Sequence, residues 1–454
     1  MTKLTESADR ETSIAPADGE ALAERLLHSS GAGNGQLLVV FLCLCLNALD
    51  GFDITMMAVV ASEVAQALQL SADRLGLVFS FALAGMMLGA TLIAPLADRF
   101  GRRPVMLSCV LVVAVSMLMT AAATQLWHFL LLRLISGLGA GAIIASQAAL
   151  TSEYSPERYR ALSVAAATAG YPLGAVGTAL VAGWVLPEHG WQGLFLLGGV
   201  VTLCFGLVCL RYLPESLKYL LVAQPVGALD SANRILDRLG LGTLTALPAS
   251  GGERGDEPTP EHRQVASLLT PELRGRTLTL WTLFFFCFLA LYFLQSWLPR
   301  LLETAGHDAQ IARTAFLLFN LGGVVGIVVL GGLSLGLHLS RTIGLFLGVA
   351  SGGMLCLAVL SANASAALVL ALLVGFVLQG GFVGLYAVSA KAYPTSTRST
   401  GIGWAVGVGR AGAVVGPLLV GYLISFGTGL TQTFLIFSVP LLIASVLALR
   451  FPVR

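Results

Sequence analysis

Three stretches of this chain, Pro104 to Leu132, Thr342 to Ala390 and Ala411 to Leu449, contain no Asp, Glu, Lys or Arg. A helix crossing a bilayer needs only ~20 mostly apolar residues, so each of the last two stretches is long enough for two crossings. Lipid offers no hydrogen bonds to the backbone, which restricts spanning segments to helices or closed barrels, and continuous apolar runs exclude the alternating pattern of a barrel. Twelve runs can be cut at about 37–61, 72–97, 105–124, 127–152, 159–184, 191–212, 277–298, 311–336, 342–361, 365–390, 399–425 and 431–449.

The rest of the composition agrees with a membrane chain. Of 454 residues, 56% are apolar and only 11% are charged, where an ordinary soluble domain carries roughly a quarter charged. A net charge of +2 argues against a nucleic-acid partner. The seven cysteines lie in apolar runs without a CxxC pair or neighbouring histidines, and read as reduced core residues. The first 36 residues are polar, show no cleavable secretory signal, and are expected to form a cytoplasmic tail.

Positive charge sets the expected orientation, because short loops rich in Lys and Arg stay in the cytoplasm. Arg99, Arg102, Arg103, Arg158, Arg160, Arg341, Lys391, Arg398 and Arg450 fall on one set of alternate connections, together with a basic loop that runs from Lys218 to Arg276. The other set holds only Arg74, Arg300 and Arg313. Both termini are therefore expected in the cytoplasm of a bacterial-type inner membrane.

The long loop divides the spans six and six. The expected units are a tail at 1–36, a six-helix bundle at 37–212, a cytoplasmic linker at 213–276 and a second bundle at 277–454. Gly137, Pro156, Arg160, Gly174 and Gly183 recur as Gly375, Pro394, Arg398, Gly412 and Gly421, all at one offset, as two parallel repeats require. The fold class is thus an all-α membrane protein of twelve helices in two pseudo-symmetric bundles.

Between the second and third spans the chain reads Ala94-Pro95-Leu96-Ala97-Asp98-Arg99-Phe100-Gly101-Arg102-Arg103-Pro104. This passage resembles the signature of the major facilitator superfamily, with Ala94 where that family usually has Gly. The first span holds Asp50-Gly51-Phe52-Asp53, and the eleventh is entered through Tyr393-Pro394-Thr395-Ser396-Thr397-Arg398 and carries Gly407-Val408-Gly409-Arg410. Together these resemble the aromatic acid:proton symporters, although Ile54-Thr55-Met56-Met57 departs from the usual continuation of the first motif. The resemblance covers nearly all twelve spans and implies roles in transport for Asp50, Asp53, Arg133 and Arg410.

An ionisable residue inside a spanning helix is costly unless paired or hydrated, so each invites a functional hypothesis. Asp50 and Asp53 share one face of the first span. Two close carboxylates in a poorly solvated chamber make a candidate proton carrier. Arg410, among glycines, can grip a substrate carboxylate with its planar fork; alternatively it pairs with Asp50 or Asp53. Arg133 is a second candidate for the substrate site, or a side chain that snorkels to the surface. Tyr292, Tyr386 and Trp404 are candidate ring contacts for an aromatic acid, or ordinary helix packing. Asp98, Arg102, Arg103 and Glu153 form a candidate gate at the basic side, or topology charges and a solvated helix end.

These features point to proton-driven import of a small aromatic carboxylate by alternating access. The expected partners are the substrate, protons and the lipid bilayer, with the proton as coupling ion, no cofactor, no metal site and a monomeric state. A proton-antiport exporter of drugs or organic anions would share the fold. A membrane enzyme or a non-transporting receptor is the reading from another class, disfavoured because no nucleophile, base and orienter set is visible and no signalling domain is attached.

Overall fold

In the computed structural model, residues 22–23, 26–27, 33–248, 267–333, 338–394 and 397–451 are described. Most of the N-terminal tail, the Gly- and Pro-rich centre of the long loop, and Thr395 and Ser396 of the span-eleven motif lie outside them. Among the described residues, eleven helices are long and apolar enough to cross a membrane. One of them, Leu162–Tyr212, has 51 residues. At 1.5 Å per residue it would measure roughly 75 Å, well over the thickness of a bilayer. Gly190 breaks it with φ 61° and ψ −170°, three residues after Pro187, so the segment is two spans and the total is twelve. Only glycine takes that backbone conformation readily.

The spans run Asn34–Val59, Ala72–Ile93, Arg102–Thr120, Leu126–Tyr154, the two halves of Leu162–Tyr212, Arg274–Thr304, Ala309–Leu333, Leu339–Leu360, Ala364–Ala392, Arg398–Ser425 and Leu430–Arg450. The second ends in a π-helical turn, Gly89–Ile93, just before Pro95. Large apolar side chains such as Phe41, Leu92, Leu207 and Val359 stand on the outside, where a soluble protein would place charge. The linker is partly helical, with Leu217–Ala223 and Ala228–Leu239.

Two pairs of the repeat glycines do equivalent work in the two halves. A Cβ on Gly137 would meet the Ala82 carbonyl oxygen at 2.1 Å, and one on Gly375 would meet that of Phe319 at 1.8 Å. The fourth span thus lies on the second as the tenth lies on the eighth. A Cβ on Gly174 would meet the Ala48 carbonyl oxygen at 1.9 Å and one on Gly412 that of Phe285 at 2.2 Å, which sets the fifth span on the first as the eleventh sits on the seventh. Helices in lipid gain van der Waals contact by such close backbone approach. The Gly183 and Gly421 pair differs: nothing lies near Gly183, whereas Gly421 abuts Ala72 of the other half.

The halves meet on the side away from the arginine-rich loops. Trp297 donates its indole N–H to the Pro417 carbonyl at 3.0 Å and packs edge-on against Phe79. Ser80 donates to the Val414 carbonyl at 2.7 Å, and Ser425 donates to Asp73 at 3.1 Å. Further out, Arg300 donates to the Ala61 carbonyl at 3.2 Å and Ser62 donates to Glu303.

Candidate functional site

The first span is held against the start of the fifth by its own polar residues. Asn47 donates to the carbonyls of Ala167 and Thr168, at 2.9 and 3.1 Å, where the helix Arg160–Thr168 ends before Gly170 restarts it. These are carbonyls that a helix end leaves without partners. Gly51 then lets the Tyr171 carbonyl approach to 2.1 Å of where a Cβ would stand. This contact brings Tyr171 alongside Asp50.

The two acids of the first span have different surroundings. Asp53 is fully buried and accepts from Arg133 at 2.8 Å and from the Ser136 hydroxyl. Arg133 is itself fully buried, with its guanidinium 5.0 Å from the Phe195 ring. It does not snorkel, because the fourth span turns its side chain inward onto the first. Asp50 is also buried, but among the described residues its Oδ2 has no hydrogen-bond partner.

Arg410 projects from the eleventh span at the opposite wall of the same region. Among the described residues it forms no ion pair with Asp50 or Asp53; the intramembrane pair is Asp53 with Arg133. Tyr171, Tyr292 and Tyr386 all lie within electrostatic reach of its guanidinium, and Asp50 lies within reach of Tyr171. The Tyr171 hydroxyl faces that of Tyr292 across the two halves without a well-formed hydrogen bond. Of the neighbouring glycines, Gly407 opens onto free space, whereas Gly409 packs on Phe284 and Phe288 and Gly412 on the Phe285 carbonyl.

Beside Arg410 the second half builds a wall of rings. Phe288 stacks on Tyr292 with centroids 5.9 Å apart, Phe382 meets Phe288 edge-on at 4.7 Å, and Tyr386 meets Phe284 edge-on at 5.3 Å. Phe284, Phe288 and Tyr292 recur every four residues along one face of the seventh span. Trp404 stands six residues before Arg410, roughly 9 Å nearer the arginine-rich side, beside Trp281. Two further rings serve elsewhere: Phe195 covers Arg133, and Trp297 seals the halves. Asn320 is spent on Gln295 at 2.8 Å.

At the arginine-rich side Arg102 reaches Glu153 at 2.9 Å and Asp98 at 3.6 Å, while the Asp98 side chain stays 76% exposed. Arg103 donates to the Leu210 carbonyl at 2.5 Å. Sequence reasoning missed Glu215, whose carboxylate accepts from the backbone N–H groups of Arg102, Arg103 and Ser216. It thereby caps the third span, an end where a negative charge is favoured. Its signal was an acid three residues after the sixth span, which reads as a solvated loop until the fold closes.

Comparison with known proteins agrees with this architecture. Residues 42–385 match the model of the Major Facilitator Superfamily. The 4-hydroxybenzoate transporter of Pseudomonas putida is 33% identical over 90% of this chain and 91% of its own length. The gallate transporter of the same organism is 32% identical, covering 89% of each. The 3-(3-hydroxy-phenyl)propionate transporter of Escherichia coli is 30% identical over 88% of this chain and 90% of its own. Among solved structures, a D-xylose–proton symporter superposes with a TM-score of 0.69 at 16% identity, over 91% of this chain and 97% of that one. A bacterial homologue of the lysosomal transporter Spinster gives 0.67, also at 16%, over 92% and 97%. With its twelve spans, its Asp98–Arg103 loop and these relatives, the chain belongs to the Major Facilitator Superfamily, in the branch of the aromatic acid transporters.

Proposed function

We propose that this protein imports a small aromatic carboxylate together with a proton across a bacterial inner membrane, as a monomer with both termini in the cytoplasm. One observation carries the reading: an Arg410 guanidinium that among the described residues has no ion-pair partner is ringed by three tyrosines and a wall of phenylalanines, with an Asp50 oxygen that has no hydrogen-bond partner among those residues nearby. A carboxylate on an aromatic ring fits both parts, its charge on the guanidinium and its ring on the aromatic wall. The relatives named for 4-hydroxybenzoate, gallate and 3-(3-hydroxy-phenyl)propionate support the same class.

Asp50 takes the coupling proton and Arg410 takes the substrate anion, so the loaded carrier moves a compensated set of charges through a medium that penalises bare ones. Asp53, locked to Arg133, positions the first span and does not itself exchange the proton. The join at Trp297, Ser80 and Ser425 closes the extracellular side, and the site empties toward the arginine-rich, cytoplasmic side. Asp98, Arg102, Arg103 and Glu153 close that side when the halves rock the other way.

Proteoliposomes with an imposed pH gradient test the reading. Accumulation of labelled 4-hydroxybenzoate or a related acid on the alkaline side is expected, and it collapses with a protonophore. Extrusion against that direction, or binding of the acids without any flux, would overturn it.

A further inference from the structure

We propose that the fold carries a binding site for one anionic phospholipid headgroup, separate from the transport path, where the linker helix Ala228–Leu239 docks against the first and sixth spans. A cavity of about 340 Å³ lies there, on the arginine-rich side, between the start of the first span and the end of the sixth. Arg211 and Arg238 enter it from two different elements, and among the described residues neither has an ion-pair or hydrogen-bond partner. Leu38, Val39, Ile235 and Leu239 supply the apolar part of the wall.

The cavity is a product of the fold. The linker helix buries Ala228, Ala232, Ile235 and Leu236 on one face, and Leu239 closes on the first span where Gly35 has no side chain. One acid close to the lining Tyr154 is engaged elsewhere: Glu215 is bound to three backbone N–H groups, and the Tyr154 hydroxyl donates to its carbonyl at 2.6 Å.

Among the described residues neither guanidinium has an ion-pair or hydrogen-bond partner, Arg211 resting only over the Tyr212 ring at 5.4 Å, and two such groups lining one small cavity call for an anion with several oxygens, which a phosphate diester satisfies. Leu37, Leu207 and Leu210 stand exposed near the rim, the surface that acyl chains of the same lipid would cover. Basic pockets between spans at the cytoplasmic surface suit anionic lipids for this reason. The occupant we commit to is therefore a phospholipid such as phosphatidylglycerol, not a soluble phosphate.

The test uses the full-length protein in detergent, with lipid binding followed by native mass spectrometry and by thermal unfolding. Phosphatidylglycerol should bind and stabilise the protein, and phosphatidylcholine should not. The R238Q change lies on a helix outside the twelve spans and should weaken binding about fivefold, and R211Q with R238Q about thirtyfold, from the usual contribution of a basic residue near a membrane surface. Replacing both arginines by lysine keeps the charge and should retain most of the affinity, which separates lost binding from lost folding. Equal binding of the two lipids, an unchanged affinity in R238Q, or full stabilisation by inorganic phosphate alone would each overturn the proposal. None of these readouts depends on which substrate is carried.

Discussion

Arg133 donates to Asp53 across 2.8 Å in a part of the first bundle where both side chains are buried. Asp50, one helical turn away on the same face, has an oxygen that no donor reaches among the described residues. Two acids that share a motif are thereby divided into one that is fixed and one that is available. Asp50→Asn is expected to abolish accumulation driven by a pH gradient while leaving substrate counterflow in place. Gradient-driven accumulation at the wild-type level in D50N vesicles would remove Asp50 from the proton path.

The Asp53–Arg133 pair is expected to behave as a structural unit. Removing one partner leaves a buried charge uncompensated, at a cost of about 3–5 kcal/mol, whereas replacing both with apolar residues costs far less. Arg133→Leu should therefore lower the thermal midpoint sharply, and Asp53→Leu combined with Arg133→Leu should recover most of the loss. Additive losses in that double-mutant cycle would show that the two side chains are not coupled.

Arg410→Lys keeps the charge and loses the fork. Losing one charge-assisted hydrogen bond costs about 1.5–3 kcal/mol, or about tenfold to a hundredfold in substrate affinity. Tyr386→Phe should cost less, since its ring contacts survive. Counterflow with aromatic acids checks both, and unchanged affinity in the lysine variant would take Arg410 out of the site.

A pH effect is expected at the opposite mouth. Burial pushes the Glu63 carboxyl above its ordinary value of 4.5, Arg313 opposes the shift, and Glu303 adds to it. Arg300 and Ser62 also face Glu303, so the cluster spans both halves. A carboxyl whose affinity for a proton is higher in the closed arrangement stabilises that arrangement below 4.5 and loses this contribution as pH rises through the raised value. Closure of this mouth should weaken with rising pH above 4.5, and Glu63→Gln should flatten the dependence. Distances between spin labels on the two halves, measured across pH, report it directly.

Packing predictions follow from the glycine contacts. A Cβ on Gly375 would lie 1.8 Å from the Phe319 carbonyl, so Gly375→Val should destabilise by about 1–3 kcal/mol or more. Gly183 has nothing nearby, and Gly183→Ala should be neutral or stabilising by up to about 1 kcal/mol. Thermal unfolding of the two variants separates a packed repeat glycine from an open one.

Much of the fold was legible because lipid reduces the choices: charge-free runs of sufficient length leave only helices. The cut between the fifth and sixth spans, expected between 184 and 191, falls where the structure has Pro187 and Gly190, although the helix passes unbroken to Gly190. The candidate site was legible as a set of residue types, since Asp50, Asp53, Arg133 and Arg410 are conspicuous in apolar sequence. Their partners were not, because helix rotation decides them. The fourth span turns Arg133 onto Asp53 and away from the surface, and spacing along one helix does not reveal the angular position of its neighbour. Phe284 and Phe288 were hidden for a related reason, being two of the phenylalanines in a run where only the neighbouring spans select an inward face.

Where backbone carbonyls press against Gly174 and Gly412, there is no slack for one helix to slide along the other. Each meshed pair, first with fifth and seventh with eleventh, is therefore obliged to travel as a single strut. Displacement in the transport cycle is then left to the seam where Ala72 to Ser80 lies along Val414 to Ser425, which is closed by the Gly76–Gly421 approach, the Phe79–Trp297 ring contact and a few hydrogen bonds that can be exchanged for water.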